Sequence, residues 1–481
     1  MNIPKKLPLW ISGKEVFSEK TFETINPFDQ SVISLVSIAS EEQINQAVAD
    51  AKKASESWRK VAPKERARVL LETARILRSQ NDELAKIETT DTGKAIRETI
   101  CVDIVSAIDC LEYMASLISV HSSRHIPLGH AGFAYTLSKP LGVCAGIGAW
   151  NYPIQIAAWK SAPALATGNA FIFKPSEQTP ISAFFLAKAY KEAGLPDGLF
   201  QVVQGAGDVG KLLVEHTGIA KVSLTGSVET GKKIYSSCAN SLKKLSLELG
   251  GKSPLIIFDD ANLEDAVQAT LLANFYSSGQ VCSNGTRVFV HSKIKEKFEG
   301  MLLSETKKII CGDPMDEKVH LGPLVSAKHK ENVSGHIKLA KEHGATFLLD
   351  DTDMGGNFIT PIILTNGTDK MSCARDEIFG PVVTLLNFDN EAEVVDRAND
   401  TNFGLAGGVF TNDLERAHRV AQNLEVGTTW INAYNLAPVE VPFGGAKHSG
   451  LGSENGHEVL KEYTRTQSVF VKGEENPNIF F

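Results

Sequence analysis

The chain has 481 residues, of which 43% are hydrophobic and 22% charged, and its formal net charge is −8. This length exceeds what one compact core accommodates, so we expect two or three domains. The acidic balance argues against a nucleic-acid partner, which requires a basic face. The apolar stretches fall well short of the ~20 residues that a membrane helix needs, and the N-terminus has no signal-peptide pattern. Seven scattered cysteines with no CxxC pair favour reduced thiols in the cytoplasm over disulfides or a metal site.

The first clear pattern along the chain is helical. Between residues 41 and 88, apolar residues recur at helical spacing, with Ile44, Val48 and Ala51 on one face. After residue 142, short apolar strands alternate with helical segments as far as "KLSLELGG". This alternation predicts βαβ units and a parallel sheet covered on both faces. Further strands, among them residues 287–291 and 382–388, predict a second α/β unit.

Two glycine motifs are candidate phosphate sites. "GAGDVG" places Gly205, Gly207 and Gly210 in a GxGxxG arrangement between a strand and a helix, as in dinucleotide-binding folds. That fingerprint also needs an acidic residue at the end of the next strand, which here ends in "TGS", so we favour a structural turn. In "LTGSVETGKK", Gly226 and Ser227 lead directly into a helix whose free N–H groups favour an anion, although such turns are also common without a ligand.

Three residues in separate stretches could form a covalent acyl-transfer site. Cys282 lies among small polar residues and glycines in "SSGQVCSNGTR", Glu248 ends an apolar strand, and Asn151 follows another strand. A thiolate can attack a carbonyl, an amide can hold the resulting oxyanion, and a carboxylate can activate water. Each residue also has a purely structural interpretation, as a buried filler, a strand-end ion pair or a turn residue. Sequence spacing alone leaves open whether the three meet.

Six motifs, in order along essentially the whole chain, carry a family resemblance: "WNYP", "FKPSE", "TGS", "LELGGKSP", "GQVCSNGTR" and "EIFGP". Together they resemble the aldehyde dehydrogenase superfamily, and they are most similar to its bacterial members that oxidise betaine aldehyde. The resemblance implies an aldehyde dehydrogenase-like α/β fold, with a Rossmann-variant NAD-binding domain, an α/β catalytic domain and a small oligomerisation arm. The expected boundaries are 1–120 with 141–250 for NAD binding, 251–449 for catalysis, and 121–140 with 450–481 for assembly into a dimer or tetramer.

The same resemblance assigns roles to individual residues. It makes Cys282 the nucleophile, Glu248 the general base and Asn151 the side-chain half of the oxyanion hole. Glu454 is expected near Lys174, which suggests a proton route between them. The residues expected at the cofactor are Trp150, Lys174, Ser176, Glu177, Gly226, Ser227, Glu377 and Phe379. A ribose-binding Glu177 would repel a 2′-phosphate, so NAD is expected over NADP, although betaine enzymes tolerate both. A monovalent cation such as potassium is a further implied ligand.

Aromatic residues indicate the substrate. Those expected around the aldehyde are Tyr152, Trp159, Tyr276, Tyr434 and Phe443, with the Glu440 carboxylate at the pocket mouth. An aromatic box attracts a quaternary ammonium group through cation–π contacts of about 1–2 kcal/mol each when desolvated. Tyr434 stands where the betaine enzymes carry a tryptophan, which leaves selectivity open. The same aromatics could instead line an apolar aldehyde tunnel.

The expected reaction is therefore NAD-dependent oxidation of betaine aldehyde to glycine betaine, an osmoprotectant made from choline. It would proceed through a thiohemiacetal and a thioester on Cys282. An aminoaldehyde dehydrogenase, for example for 4-aminobutyraldehyde, or a general aldehyde dehydrogenase is the alternative. A non-catalytic relative such as a lens crystallin would be expected to lose Cys282 or Glu248, and a coenzyme A-acylating relative usually lacks the glutamate.

Overall fold

The structure, a computed structural model, describes residues 2–473. Within these residues the first large sheet has eight strands, in spatial order Gly450–Leu451, Lys244–Glu248, Lys221–Thr225, Val143–Ile147, Ala170–Lys174, Phe200–Val202, Leu9–Ile11 and Lys14–Val16. The strands from Lys244–Glu248 to Phe200–Val202 run parallel, and the outer strands are antiparallel to their neighbours. This arrangement confirms the predicted parallel sheet.

Helices join the successive parallel strands, as alternating apolar and helical segments predict. They are Pro153–Ala166, Ser182–Glu192, Gly207–Glu215 and Val228–Ala239. The chain builds outward from Val143–Ile147 to Phe200–Val202 and then returns to place Lys221–Thr225 on the other side of the first strand. Strand order therefore reverses between these neighbours. In such sheets ligands bind at this switch point, outside the carboxyl ends of the strands.

The N-terminal helices confirm the helical prediction for residues 41 to 88. They are Glu41–Trp58, Pro63–Ser79 and Asn81–Thr92, followed by the short Ile96–Glu98, the π-helical turn Thr99–Asp103 and the long Ile104–Val120. The first helix begins with a capping box, in which the Ser40 side chain accepts from the Gln43 N–H and the Gln43 side chain accepts from the Ser40 N–H. Pro63 starts the second helix, where its missing N–H costs nothing.

The second large sheet is the second α/β unit. In the described chain its seven strands are, in spatial order, Thr346–Leu349, Ile362–Thr365, Val382–Phe388, Arg287–His291, Pro254–Ile257, Ala406–Phe410 and Thr428–Ile431. All neighbours are parallel except the first pair. Its helices are Leu263–Phe275, Lys295–Thr306, Ala327–Glu342, Ser372–Arg375, Glu391–Asn399 and Leu414–Asn423, with 3₁₀ turns at Tyr276–Gly279 and Ser292–Ile294.

Three small sheets complete the described residues. The first joins Lys6–Leu7, Val32–Ser37 and Thr21–Ile25, and the second joins Phe403–Gly404 and Ala446–Lys447. The third, which we call the arm sheet, consists of His125–Pro127, Gly132–Pro140 and Thr464–Lys472, with a 3₁₀ turn at Gly129–Ala131. The expected arm at 121–140 is therefore a hairpin extended by the C-terminal strand.

Residues 450–463 do not lie in the arm sheet. Gly450–Leu451 forms the edge of the first large sheet. Val459 and Leu460 of the short helix Val459–Glu462, with Tyr463 directly after it, pack into the core beneath that sheet. Of the segment 450–481, the arm sheet thus contains Thr464–Lys472. Residues 474–481, also expected to serve assembly, lie outside the described residues.

The GxGxxG motif has a packing role that needs no ligand. Gly205 has a φ of 143°, and a Cβ there would lie 2.3 Å from Val209 Cγ2. A Cβ on Gly210 would lie 3.4 Å from the Lys174 side chain. These glycines make a tight turn and allow close packing, in agreement with the structural interpretation of the motif.

Candidate active site

The predicted catalytic residues meet at the switch point of the first sheet. Asn151 follows the strand Val143–Ile147, Glu248 ends the strand Lys244–Glu248, and Cys282 enters from the second α/β unit. All three line one cavity of about 350 Å³. The sequence left open whether these residues lie together, and the fold brings them together.

Cys282 lies on a loop that starts from an unusual turn. Ser277, Ser278 and Gly279 all have left-handed backbones, with φ of 51°, 55° and 74°. A Cβ on Gly279 would lie 2.1 Å from the Gly380 carbonyl oxygen, so only glycine fits there. Left-handed non-glycine residues are uncommon and often mark functional sites. The turn places the half-buried Cys282 thiol on the cavity wall.

The environment of the Cys282 thiol keeps it protonated in this state. Burial, followed by the nearby Glu377 and Glu248 carboxylates, raises the pKa of Cys282 to about 12. The backbone N–H groups of Cys282 and Ser283 oppose this increase. Such N–H groups stabilise negative charge at this position, which is what an oxyanion beside the sulfur requires.

Asn151 is tied to the nucleophile loop. Its Nδ2 donates to the carbonyl oxygen of Gln280, two residues before Cys282, at 3.0 Å, and the side chain is buried. A primary amide nitrogen carries two hydrogens, so this bond fixes the amide and leaves one hydrogen for a ligand. The geometry suits an oxyanion hole.

Glu248 is a buried carboxyl group whose two oxygens have no hydrogen-bond partner within the described residues. Burial, and then the charge of Glu454, raises its pKa well above the ordinary value. An unpartnered buried carboxyl costs stability, and such groups concentrate at functional sites. Glu248 is thus suited to proton transfer rather than to a structural ion pair.

The expected pairing of Glu454 with Lys174 is wrong. The Glu454 carboxylate forms a buried ion pair with Lys160 and accepts a hydrogen bond from the Ser223 hydroxyl at 3.1 Å. The Lys174 ammonium instead donates to the carbonyl oxygen of Gly205 at 2.6 Å. The physical reason is that Lys160, on the buried face of helix Pro153–Ala166, points to the loop that carries Glu454.

Four of the six residues expected around the substrate line the cavity: Tyr152, Trp159, Tyr276 and Phe443. Trp159 and Phe443 pack edge to face with ring centroids 6.0 Å apart. The Tyr152 hydroxyl lies 3.1 Å from the Ser277 hydroxyl. These side chains give the cavity a largely aromatic wall.

The placement of Tyr434 and Glu440 in the pocket is wrong. Asn432 and Asn435 have left-handed backbones, with φ of 51° and 56°, and they turn Tyr434 inward. Its hydroxyl donates to the Ser283 carbonyl oxygen at 3.0 Å, so it supports the nucleophile loop from behind. Asn435 lines the cavity in its place, and Glu440 is exposed outside the cavity lining.

Further lining residues were missed by the sequence. They are Val102, Ser106, Gln155, Ile156, Thr225, Leu272, Val281, Ser283, Asn435 and Ala437. These positions have no chemical signature that distinguishes a cavity wall from an ordinary core or loop. Only the fold shows which of these residues form the cavity wall.

One group of expected cofactor residues surrounds Lys174. Its ammonium lies 3.6 Å from the Glu177 carboxylate, of which 43% is exposed. Burial lowers the pKa of Lys174, and Glu177 opposes that shift. Ser176 is buried beside them. Glu177 therefore presents an exposed carboxylate that can accept hydrogen bonds from a diol.

Gly226 and Ser227 form the predicted turn before a helix. The Gly226 N–H donates to the Glu248 carbonyl oxygen at 3.0 Å, which places this turn directly beside the end of the strand Lys244–Glu248. The Ser227 side chain caps the Thr230 N–H. Helix geometry leaves the N–H groups of Val228 and Glu229 without a partner inside the helix, so an anion can bind there.

Glu377, another of the expected cofactor residues, contacts the two glycines that follow Leu249. Glu377 Oε1 accepts from the Gly251 N–H at 3.0 Å, and a Cβ on Gly250 would lie 1.9 Å from Glu377 Oε2. The glycine pair of "LELGG" therefore makes room for this carboxylate. Burial raises the pKa of Glu377 to about 7.

Trp150, Phe379 and His329 form an aromatic cluster. The Trp150 ring centroid lies 5.2 Å from that of Phe379 and 5.0 Å from that of His329. The His329 ring nitrogen Nε2 lies 2.8 Å from the Phe379 carbonyl oxygen, and Phe379 has a φ of 57°. His329 thus holds a left-handed residue in place. The sequence did not single it out.

Within residues 2–473, no group of three or more His, Cys, Asp or Glu side chains could hold a metal ion, and no helix is long and apolar enough to cross a membrane. The expected monovalent cation stays a prediction.

Comparison with known proteins defines the class of this chain. Residues 10–469 match the aldehyde dehydrogenase family, so the chain belongs to that family. It is 55% identical over 451 residues to the betaine aldehyde dehydrogenase of Brucella canis, with 92% of each chain covered. It is 52% identical over 472 residues to the enzyme of the same name from Mesorhizobium japonicum, with 96% of each chain covered.

Solved structures that resemble this chain are also aldehyde dehydrogenases. An aldehyde dehydrogenase of Bacillus cereus, determined as an NAD+ complex, has a TM-score of 0.96 at 39% identity and covers 98% of this chain and 100% of its own. The betaine aldehyde dehydrogenase of Staphylococcus aureus, in complex with NAD+, has a TM-score of 0.95 at 36% identity. The match covers 100% of this chain and 97% of the Staphylococcus aureus chain. The predicted family and fold class are confirmed.

Proposed function

We propose that this chain is an NAD-dependent betaine aldehyde dehydrogenase, which oxidises betaine aldehyde to glycine betaine. The observation that carries the proposal is one cavity in which Cys282, Asn151 and Glu248 face an aromatic wall. Relatives named betaine aldehyde dehydrogenase, at 55% and 52% identity, support the substrate. The NAD+ complexes of related structures support the cofactor.

In the first stage, Cys282 Sγ adds to the aldehyde carbon and the carbonyl oxygen becomes an oxyanion. The free Asn151 Nδ2 hydrogen and the Cys282 backbone N–H hold that oxyanion. Because the pKa of Cys282 is raised to about 12 by burial and by Glu377 and Glu248, the thiol must lose its proton as it attacks. That proton passes to water in the cavity, so Glu248 stays unprotonated and free to act as the base of the second stage.

The residues that would hold NAD fit its parts. Glu177 would accept hydrogen bonds from the adenosine ribose, the Val228 and Glu229 N–H groups would face the pyrophosphate, and Glu377 with Phe379 would meet the second ribose. When bound, NAD supplies the acceptor for the hydride that leaves the substrate carbon. An exposed Glu177 carboxylate repels a 2′-phosphate, which supports NAD over NADP.

In the second stage, the thioester on Cys282 is hydrolysed. Glu248 takes a proton from water, and the resulting hydroxide adds to the thioester carbon. Asn151 holds the second oxyanion as it held the first. The Cys282 thiolate then leaves, and glycine betaine is released as the carboxylate. Glu248 meets the requirements of this base because it is buried, has no competing hydrogen-bond partner among residues 2–473 and lines the cavity.

The aromatic wall supports a quaternary ammonium substrate. Tyr152, Trp159, Tyr276 and Phe443 present ring faces and edges without a carboxylate among them, and a trimethylammonium group needs only such surfaces. Each favourable ring contact contributes about 1–2 kcal/mol when desolvated. A primary ammonium would in addition require hydrogen-bond acceptors. The same cavity also contains such acceptors, among them Gln155 and Asn435, so the choice of betaine aldehyde over an aminoaldehyde is supported chiefly by the relatives that carry that name.

We also propose separate roles for the two α/β units and the arm sheet. The first sheet, with its switch point, would bind NAD, and the second α/β unit would carry the nucleophile. The arm sheet exposes apolar side chains, with Phe470 74% and Val471 38% exposed, which supports assembly into a dimer or tetramer. Seven free cysteines suit the reducing cytoplasm.

NADH production from betaine aldehyde, 4-aminobutyraldehyde and propanal tests the proposal, with Cys282→Ala beside the parent enzyme. A clear preference for betaine aldehyde, abolished by Cys282→Ala and unaffected by the control Cys101→Ala, is the expected result. Equal or better use of either other aldehyde would overturn the substrate assignment. Activity that survives Cys282→Ala would overturn the mechanism.

A further inference from the structure

A group of buried charges lies behind the cavity in the segment between helices Asn81–Thr92 and Ile104–Val120. Lys94, Glu98 and Asp103 are each at most 5% exposed. The chemistry described above uses none of them. Burying a charge lowers the stability of the fold unless the charge is paired. Three such groups beside the proposed reacting centre therefore need a functional explanation.

Lys94 holds the oxyanion side of the site. Its ammonium forms an ion pair with Asp103 and donates to the backbone carbonyl of Asn151 at 2.9 Å. It also lies 3.6 Å from the centre of the Tyr152 ring. The residue that binds the oxyanion and the first aromatic residue of the wall are thus fixed by one side chain.

Glu98 holds the nucleophile side. Its Oε1 accepts from the Ser277 N–H and its Oε2 accepts from the Ser277 hydroxyl, both at 3.0 Å. Ser277 begins the left-handed turn with a φ of 51° and precedes Cys282 by five positions. A left-handed serine persists only where its surroundings impose that conformation, and the Glu98 carboxylate binds both of its donors.

The two sides are joined at two further points. The Ser277 hydroxyl lies 3.1 Å from the Tyr152 hydroxyl, and Asn151 Nδ2 donates to the Gln280 carbonyl at 3.0 Å. Asn151 and Tyr152 belong to the first α/β unit, whereas Ser277 and Gln280 belong to the second. A closed circuit of contacts therefore crosses between the units at the reacting centre.

We propose that Glu98 is a positioning residue for the nucleophile: through Ser277 it holds the left-handed turn that aims the Cys282 loop at the oxyanion site that Lys94 fixes. This inference deepens the proposed function and rests on it. Glu98 touches neither substrate nor cofactor in this role. It acts through Ser277, and its loss should leave the catalytic groups present but misaligned.

The test compares Glu98→Ala and Glu98→Gln with the control Glu112→Gln on helix Ile104–Val120, whose half-buried side chain forms an ion pair with Arg78. The first readout is kcat and KM for betaine aldehyde. The second is the alkylation rate of Cys282 by iodoacetamide, followed by peptide mass spectrometry because Cys101 is also exposed. The second readout needs neither aldehyde nor nicotinamide. A wrong substrate assignment therefore leaves it interpretable.

For Glu98→Ala we expect kcat to fall about tenfold to a hundredfold with little change in KM, because small misplacements of reacting groups cost that much. A loosened turn should expose the thiol, so Cys282 alkylation should accelerate about threefold. Glu98→Gln retains an acceptor for the Ser277 N–H and should restore most of kcat. Ser277→Ala removes only the hydroxyl contact and should shift both readouts in the same directions by less.

Opposite changes in turnover and alkylation, with rescue by glutamine, would support the proposal. An unchanged kcat in Glu98→Ala would overturn it. So would an equal acceleration of alkylation at the buried Cys110 and Cys144, because general destabilisation of the fold would expose all of these thiols and not Cys282 alone. If Glu98→Ala does not fold, Ser277→Ala decides between the same outcomes.

Discussion

Lys160 and Glu454 form a buried ion pair beside the cavity that Glu248 lines, with their side chains 0% and 4% exposed. After burial itself, the negative charge of Glu454 is the largest cause of the raised pKa of Glu248, and Lys160 opposes it. The pair therefore contributes, after burial, to the raised pKa of the proposed general base. Glu454 also lines the cavity.

Glu454→Gln should shift the pH dependence of thioester hydrolysis. Removal of the negative charge favours the ionised form of Glu248, so the pKa of Glu248 falls. Hydrolysis requires that ionised form, and its acid limb should move about one pH unit lower. Single-turnover hydrolysis measured across pH checks this. Glu458→Gln, at an exposed position four residues later, should leave the profile unchanged. An upward shift in Glu454→Gln would contradict the assignment.

Glu248→Gln should separate the two stages of the reaction. The amide cannot take a proton from water, so hydrolysis should slow about 10²–10⁴-fold. The first stage should still yield a burst of about one NADH per active site, as expected when an acyl-enzyme accumulates. Stopped-flow absorbance measures the burst, and intact mass detects the thioester. Loss of the burst as well would show that Glu248 also accepts the thiol proton.

The sequence predicted which candidate catalytic residues share a cavity better than it predicted the residues around them. Cys282, Glu248 and Asn151 lie in motifs whose order identifies the family, and the switch point of the sheet brings them together. Tyr434 was misplaced because an aromatic side chain does not reveal which face of a loop it occupies. The left-handed Asn432 and Asn435 determine that face.

The sequence contained one sign of the Lys160–Glu454 ion pair, which is Lys160 itself. It is a single charge in the apolar helix stretch "AAWKSAPALA", and a buried lysine requires a partner. The sequence could not name that partner, because Glu454 lies 294 positions away. The packing that joins them depends on residues 450–463 returning to the first sheet.

Trp159→Leu should weaken binding of the cationic substrate selectively. Loss of one ring contact of about 1–2 kcal/mol predicts a roughly tenfold higher KM for betaine aldehyde. KM for propanal should change much less, because propanal carries no ammonium group. Tyr434→Phe is the matched control, since Tyr434 lies behind the Cys282 loop. If Tyr434→Phe raises the KM for betaine aldehyde as much as Trp159→Leu does, the aromatic wall is assigned wrongly.

Glu177→Ala should relax the choice of nicotinamide cofactor. Its carboxylate is 43% exposed and, at the proposed ribose position, would repel a 2′-phosphate, so its removal should raise kcat/KM with NADP while kcat/KM with NAD falls. A change of about tenfold in the ratio is expected for a partly exposed charge at close range. Steady-state rates with each cofactor measure it. Glu192→Ala, on the following helix, should leave the ratio unchanged, and an unchanged ratio in Glu177→Ala would place the ribose elsewhere.

In the enzyme without cofactor, the Cys282 thiol should lose its proton only at unusually high pH. Burial, then Glu377 and Glu248, raise the pKa of Cys282 to about 12, so iodoacetamide alkylation should increase tenfold per pH unit with no plateau below about pH 10. Glu377→Gln removes one of these charges, which lowers the pKa of Cys282 and accelerates alkylation at about pH 9. Because the pKa of Glu377 is itself raised to about 7 by burial, the carboxyl is neutral below that pH, and the two enzymes should converge there. The exposed Glu415→Gln should match the parent throughout. A plateau near the ordinary thiol pKa, or a constant difference at all pH values, would contradict this electrostatic coupling between Glu377 and the nucleophile.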